Sequence, residues 1–118
     1  MQYRTLCRTG LQMSAVGLGT MVHARYFSPM NDSDSLGAIQ TAMDLGINFI
    51  DRPDAYGAGY SETLLGKALN GKHDKVVLDT NPGNRDFSVS YISRVLGESL
   101  KWLGTDYMDL YQLHNPTV

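Results

Sequence analysis

Apolar positions along this chain follow two periods, and the switching between them lays out the elements. Residues 3 to 6 and 11 to 16 are short strand-like segments parted by Arg8-Thr9-Gly10, which reads as a hairpin with glycine at its turn. Ala15 to Thr20 follows as a compact strand with a tight exit. Residues 21 to 31, with two aromatics, Pro29 and Asn31, have no period and read as a long loop. Asp32 or Ser33 caps a helix running to about Leu45, with Leu36, Ile39 and Met43 on one face, Ala42 beside them and Gly46 at its end. Gly37 inside it costs about 1 kcal/mol against alanine.

Ile47 to Ile50 is a short apolar run that reads as a buried strand and delivers Asp51. A loop carrying Arg52 and Pro53 leads on to Tyr56, with Gly57 and Gly59 turning the backbone behind it. Ser61 is the expected cap of a second helix, with Leu64, Leu65, Ala68 and Leu69 in one stripe and Asn70-Gly71 as its stop. Lys75 to Thr80 reads as a strand and Asn81 to Asn84 as a loop. Ser88 opens a third helix to Leu103, with Ile92, Val95, Leu96, Leu100 and Leu103 on one side, an Arg94/Glu98 pair on the other, and Gly104 at the end. Tyr107 to His114 is the last expected strand.

The order is a hairpin over residues 1–14, then β-α-β-α-β-α-β over 15–118, within one α/β domain. Crossovers of helical length make the four later strands parallel and wind them right-handedly. Four parallel strands fit half of an open doubly wound sheet or half of an eight-stranded barrel, and periodicity leaves both open.

A length of 118 residues, 42% apolar and 19% charged, fits one globular domain. The net charge of -2 and the absence of a basic cluster exclude nucleic acid and membrane surfaces as expected partners and leave small neutral or anionic ligands. The single Cys7 rules out an internal disulfide, and the first ten residues lack the apolar region of a secretory signal, so the expected compartment is the cytosol.

Several tempting motifs fail on inspection. Gly17-Leu18-Gly19 lacks the third glycine of a dinucleotide fingerprint, because Val22 stands there. Lys67 lies inside a helical stripe with no Ser or Thr after it, so it opens no phosphate loop. His23, His73, His114 and Cys7 have no metal-ligand spacing, and no metal is expected. What remains is parity: Asp51 alternates with Phe49, His114 with Gln112 and Leu110, and Asn81 with Asp79 and Val77. Asp51, Tyr56, Asn81 and His114 therefore converge on one mouth at the carboxyl ends of neighbouring strands, where a phenol beside a carboxylate and an imidazole is a proton-donor set. The plainer reading of each is a strand cap or turn residue.

These residues also carry a resemblance. Tyr3-Arg4-Thr5-Leu6 with Arg8-Thr9-Gly10-Leu11, Ser14 to Thr20, Ile47-Asn48-Phe49-Ile50-Asp51, Asp54-Ala55-Tyr56-Gly57 through Leu69, and Leu103 to His114 resemble the aldo-keto reductase family along nearly the whole chain. The resemblance implies the N-terminal half of a TIM (β/α)8 barrel plugged at its bottom by the hairpin, and NADPH-dependent reduction of a small carbonyl substrate at its top. It implies Tyr56 as general acid, Asp51 as the partner of a catalytic lysine, and His114 as the group orienting the carbonyl. Gly19, Thr20, Met21 and Asp51 are implied on the cofactor side.

The lysine position is occupied by Asn81, and Asp79 stands where a small apolar residue is usual. Exchanging a cation for a carboxylate favours the neutral phenol and raises the pKa expected for Tyr56. Arg52, the nearest replacement cation in sequence, has the opposite strand parity to Asp51. A complete barrel of this type needs about 250 residues. The expectation is thus a truncated or split oxidoreductase, weak or inactive alone, that self-associates or meets a partner chain completing the barrel. The alternatives are a non-catalytic half-barrel interaction module, and an isomerase or lyase using Asp51, Asp79 and His114 as acid and base.

Overall fold

The computed structural model describes residues 1–20, 31–53, 59–82, 86–114 and 116. At the amino terminus β1 (Tyr3–Thr5) pairs antiparallel with β2 (Gln12–Ser14), Tyr3 opposite Ser14. Gly10 takes a φ of 79° in the connecting turn, a conformation that costs a side chain but not a glycine.

There follow β3 (Leu18–Gly19), α1 (Asp32–Asp44), β4 (Phe49–Pro53), α2 (Tyr60–Ala68), a 3-10 turn (His73–Lys75), β5 (Val77–Asn81), α3 (Val89–Leu103) and β6 (Leu110–Tyr111). The four later strands form one parallel sheet in the order β3-β4-β5-β6. Sequential neighbours with helical crossovers are the half-barrel arrangement expected from the resemblance.

The hairpin is tied to the amino end of β4 by one asparagine. Asn48 Oδ1 accepts from the Ser14 amide at 2.6 Å, and its Nδ2 donates to the Gln12 carbonyl at 2.8 Å. Ser14 Oγ in turn accepts from the amides of Asn48 and Phe49, and Tyr3 donates its hydroxyl to the Gly46 carbonyl at 2.9 Å. Amides and carbonyls that neither the short hairpin nor the strand satisfies are thereby paired.

Alternation along the strands separates two faces. Ile50 and Leu78 on one face pack with Ile39 of α1, Leu65 and Leu69 at the end of α2, Val76 and Leu103 of α3, with Leu18, Met43, Ala68 and Met108 at the margin. The other face carries Gly19, Asp51, Asp79 and Leu110, which lie side by side across the sheet.

Several boundaries differ from the sequence expectation. Asn31 caps α1, not Asp32 or Ser33: its side chain accepts from the Asp34 amide at 2.8 Å. Ser61 does not cap α2 but lies buried inside its first turn, and the helix starts from Gly59 at a φ of 85°. Gly59 is required there by more than its φ, since a Cβ would sit 2.5 Å from the Trp102 ring. Similarly a Cβ on Gly66 would meet the Leu103 carbonyl oxygen at 2.6 Å, so this glycine sets how closely α2 approaches α3. The helix Ser88 opens agrees with expectation: Ser88 accepts from the Tyr91 amide, Gly104 ends it at a φ of 69°, and Arg94 meets Glu98 at 2.9 Å.

The strands shift as well. β4 extends through Arg52 and Pro53, which the sequence placed in a loop, and β5 extends through Asn81 while Lys75 falls in the 3-10 turn. Only Leu110 and Tyr111 of the expected last strand pair with β5. The cause is pairing itself: Pro53 stands opposite Asn81 in register, and each strand prolongs the other.

Candidate active site

The polar ends of four parallel strands meet on the face opposite the helix-packed core. Gly19 pairs with Asp51 and Asp51 with Asp79, while Pro53 pairs with Asn81 two residues further on. Thr20 is buried at the exit of β3, where its amide donates to the Asp51 carbonyl at 3.1 Å. The main chain of Gly19 and Thr20 is thus fastened to the strand that carries Asp51. In front of Gly19 the space is open, since an added Cβ meets nothing within 4 Å.

Asp79 is fully buried, with one carboxylate oxygen accepting from Gln112 Nε2 and the other without a hydrogen-bond partner among the described residues. Burial pushes its pKa up to about 6, the Gln112 bond opposes the rise, and the adjacent Asp51 charge adds to it. Asp51 is also raised, by burial first, with the charge of His114 pulling the other way. His114 itself is exposed, beyond the end of β6.

Asn81 ends β5 at 8% exposure, its Oδ1 likewise unpartnered among the described residues. Asp51 and Asn81 thus share one face at the carboxyl end of the sheet, as their parity predicts, while His114 follows the end of β6, where strand parity no longer applies. Tyr56 and Met21 lie outside the described residues.

Arg52 does not reach this group. Its side chain takes the helix-facing side, where its NH1 lies 3.2 Å from Glu62 Oε1, both side chains essentially buried. The positive charge nearest in sequence to Asp51 is thereby committed to α2, in line with the opposite parity of residue 52.

Sequence reasoning missed Glu62, which carries no local signal of a partner ten positions upstream. It also missed the role of Gln112, although its parity with His114 pointed to the same face. Two surface clefts among the described residues lie elsewhere. One of about 340 Å³ is bordered by Tyr3, Gln40, Asn48 and Lys72, and one of about 270 Å³ by Lys67, His73 and Trp102.

Residues 15–118 match the model of the aldo/keto reductase family. The chain belongs to the aldo/keto reductase family. Among curated relatives, an aldo-keto reductase of Bacillus subtilis, YhdN, is 39% identical over 98% of this chain and 38% of its own. L-galactose dehydrogenase of Arabidopsis thaliana is 35% identical over 97% of this chain and 38% of its own length. The solved aldo-keto reductase AKR11C1 from Bacillus halodurans superposes with a TM-score of 0.86 at 33% identity, over 99% of this chain and 41% of that one. An aldo-keto reductase from Klebsiella pneumoniae in complex with NADPH superposes at 0.82 and 28% identity, over 100% of this chain and 41% of that one.

This member of the family thus spans 38% to 41% of the length of these relatives. Its hairpin, four parallel strands and three helices correspond to the N-terminal half of the TIM barrel. In that barrel architecture functional groups project from the carboxyl ends of strands, which is where Asp51, Asp79, Asn81 and His114 lie.

Proposed function

We propose that this chain supplies the Asp51 and His114 side of an NADPH-dependent carbonyl oxidoreductase site, acting on a small aldehyde or ketone in the cytosol. The carrying observation is Asp51 on β4, within electrostatic reach of His114, in a chain matched to the family over residues 15–118. Turnover requires the remaining strands of a barrel, because relatives are more than twice as long as the part they share with this chain.

The residues present fit the neutral end of a dinucleotide. Gly19 leaves open space beside the strand that carries Asp51. The residues present do not fit its phosphates, which carboxylates repel. When bound, NADPH supplies the hydride. Tyr56 then gives its phenolic proton to the carbonyl oxygen, and His114 orients that oxygen by donating an N–H. Asn81 brings no charge to lower the phenol's pKa, so protonation by Tyr56 is slow.

The test is NADPH consumption with a panel of small aldehydes, by the purified chain alone and mixed with a second chain carrying the relatives' remaining strand-helix units. Little or no turnover alone, activity in the mixture, its loss in Tyr56→Phe and a gain in Asn81→Lys are the expected results. No NADPH consumption in any mixture refutes the reading.

Asn81 and Asp79 favour a second reading, a half barrel that associates without catalysis. It predicts an associated species by light scattering, and no carbonyl reduction even in Asn81→Lys.

A further inference from the structure

Three buried oxygens on one face of the sheet lack a donor among the described residues: Asp51 Oδ1, Asp79 Oδ1 and Asn81 Oδ1. Leaving a buried acceptor unpaired costs about 1–3 kcal/mol, more when it is charged. Asp51 and Asp79 stand opposite each other in parallel register, and Asn81, two residues along β5, returns its side chain to the same face. Asp79 is 0% and Asn81 8% exposed, so bulk water reaches neither freely. Gln112 holds the second oxygen of Asp79, which leaves the first as its open acceptor. Arg52 is engaged with Glu62 on the opposite face and offers no compensation here.

The three open atoms of the row are all acceptors, two of them on carboxylates, and together they ask for positive charge and several donors. A hydroxyl brings one donor and no charge. A protonated primary amine brings one charge and three N–H groups, one for each open oxygen. Divalent metals ask for more: calcium takes six to eight oxygens and magnesium a nearly ideal octahedron. No group of three or more His, Cys, Asp or Glu suited to a metal occurs among the described residues.

We propose that Asp51, Asp79 and Asn81 form a binding site for the protonated primary amine of a small molecule. On the oxidoreductase reading above, the substrate class is carbonyl compounds bearing such an amine. Burial first, and the Asp51 charge in addition, disfavour the Asp79 carboxylate when no cation is bound. An ammonium group removes that burden.

The experiment is a binding titration of the purified chain at pH 8 and constant ionic strength, with methylammonium chloride as probe and the Asn81 side-chain amide signal in NMR as readout. Tetramethylammonium, which has the charge but no N–H, and magnesium chloride are the comparison ligands. A saturable shift with methylammonium alone, weakened about tenfold or more in Asp79→Asn and Asp51→Asn, is expected for loss of one charge-assisted hydrogen bond. An equal response to tetramethylammonium, a preference for magnesium, no saturable shift, or unchanged affinity in both variants overturns the proposal. The contrast between ligands is read on the native chain, so it stands even if a variant folds poorly. Because the readout is binding without NADPH, its failure leaves the oxidoreductase reading intact, and the reverse holds.

Discussion

Replacing Asp79 with asparagine should stabilise the protein at neutral and alkaline pH and give little benefit in acid. The carboxyl is fully buried, and its pKa stands at about 6 against 3.8 for an ordinary aspartate. A carboxyl whose folded pKa is raised contributes stability that is fully present below the unfolded value and is lost as pH rises through the folded one. At about 1.4 kcal/mol per pH unit, the interval between 3.8 and about 6 amounts to a penalty of about 3 kcal/mol above pH 7. Most of that penalty is absent at pH 4. The asparagine side chain keeps an oxygen to accept from Gln112, so the substitution removes charge while retaining shape and the hydrogen bond.

Urea unfolding of both proteins at pH 4 and pH 8 is the direct assay. With a slope of about 1–3 kcal/mol per molar urea, the variant's midpoint should lie roughly 1–3 M above wild type at pH 8 and nearly coincide with it at pH 4. The same difference at both pH values would show that Asp79 ionises as a solvated carboxyl does, and would refute the buried-row argument.

Other substitutions test the packing that holds the sheet, helices and hairpin together. Gly66→Ala should destabilise, because its Cβ would meet the Leu103 carbonyl at 2.6 Å, whereas Gly97→Ala, with nothing within 4 Å, should stabilise by about 1 kcal/mol; thermal unfolding separates the two. Glu62→Gln should destabilise, by up to about 3–5 kcal/mol, by removing one charge from the buried Arg52–Glu62 ion pair. Adding Arg52→Met should recover much of that loss in the same urea assay. Asn48→Ala should free the hairpin from β4, speeding hydrogen exchange at the Ser14 amide far more than at Leu78 in the sheet centre.

The elements legible in the sequence were those set by local chemistry. The stripe from Ile92 to Leu103, the Ser88 cap and Gly104 define α3 without help from the rest of the chain, because a helix is built from contacts three and four residues apart. Parity placed Asp51 and Asn81 on one face of the sheet and set Arg52 apart from Asp51, since side chains alternate on any extended strand. Periodicity could not choose between an open sheet and a barrel, and only the specific run of residues shared with the aldo/keto reductases pointed to the barrel.

Where the sequence misled, the deciding partner was distant in sequence. β4 runs on through Pro53 because β5 pairs with it, the residue that starts α2 must be a glycine because the Trp102 ring of α3 leaves no room for a Cβ there, and Arg52 meets Glu62 of α2 in the interior. The same holds for the chemistry. That Asp51 and Asp79 face each other, with Gln112 holding one oxygen of Asp79 and the rest left open, depends on the register of three strands. By itself the sequence determined which residues are polar, which strand ends carry them and which face each takes. Their burial, pairing and raised pKa values were decided only when the folded sheet removed them from water and set like charges side by side.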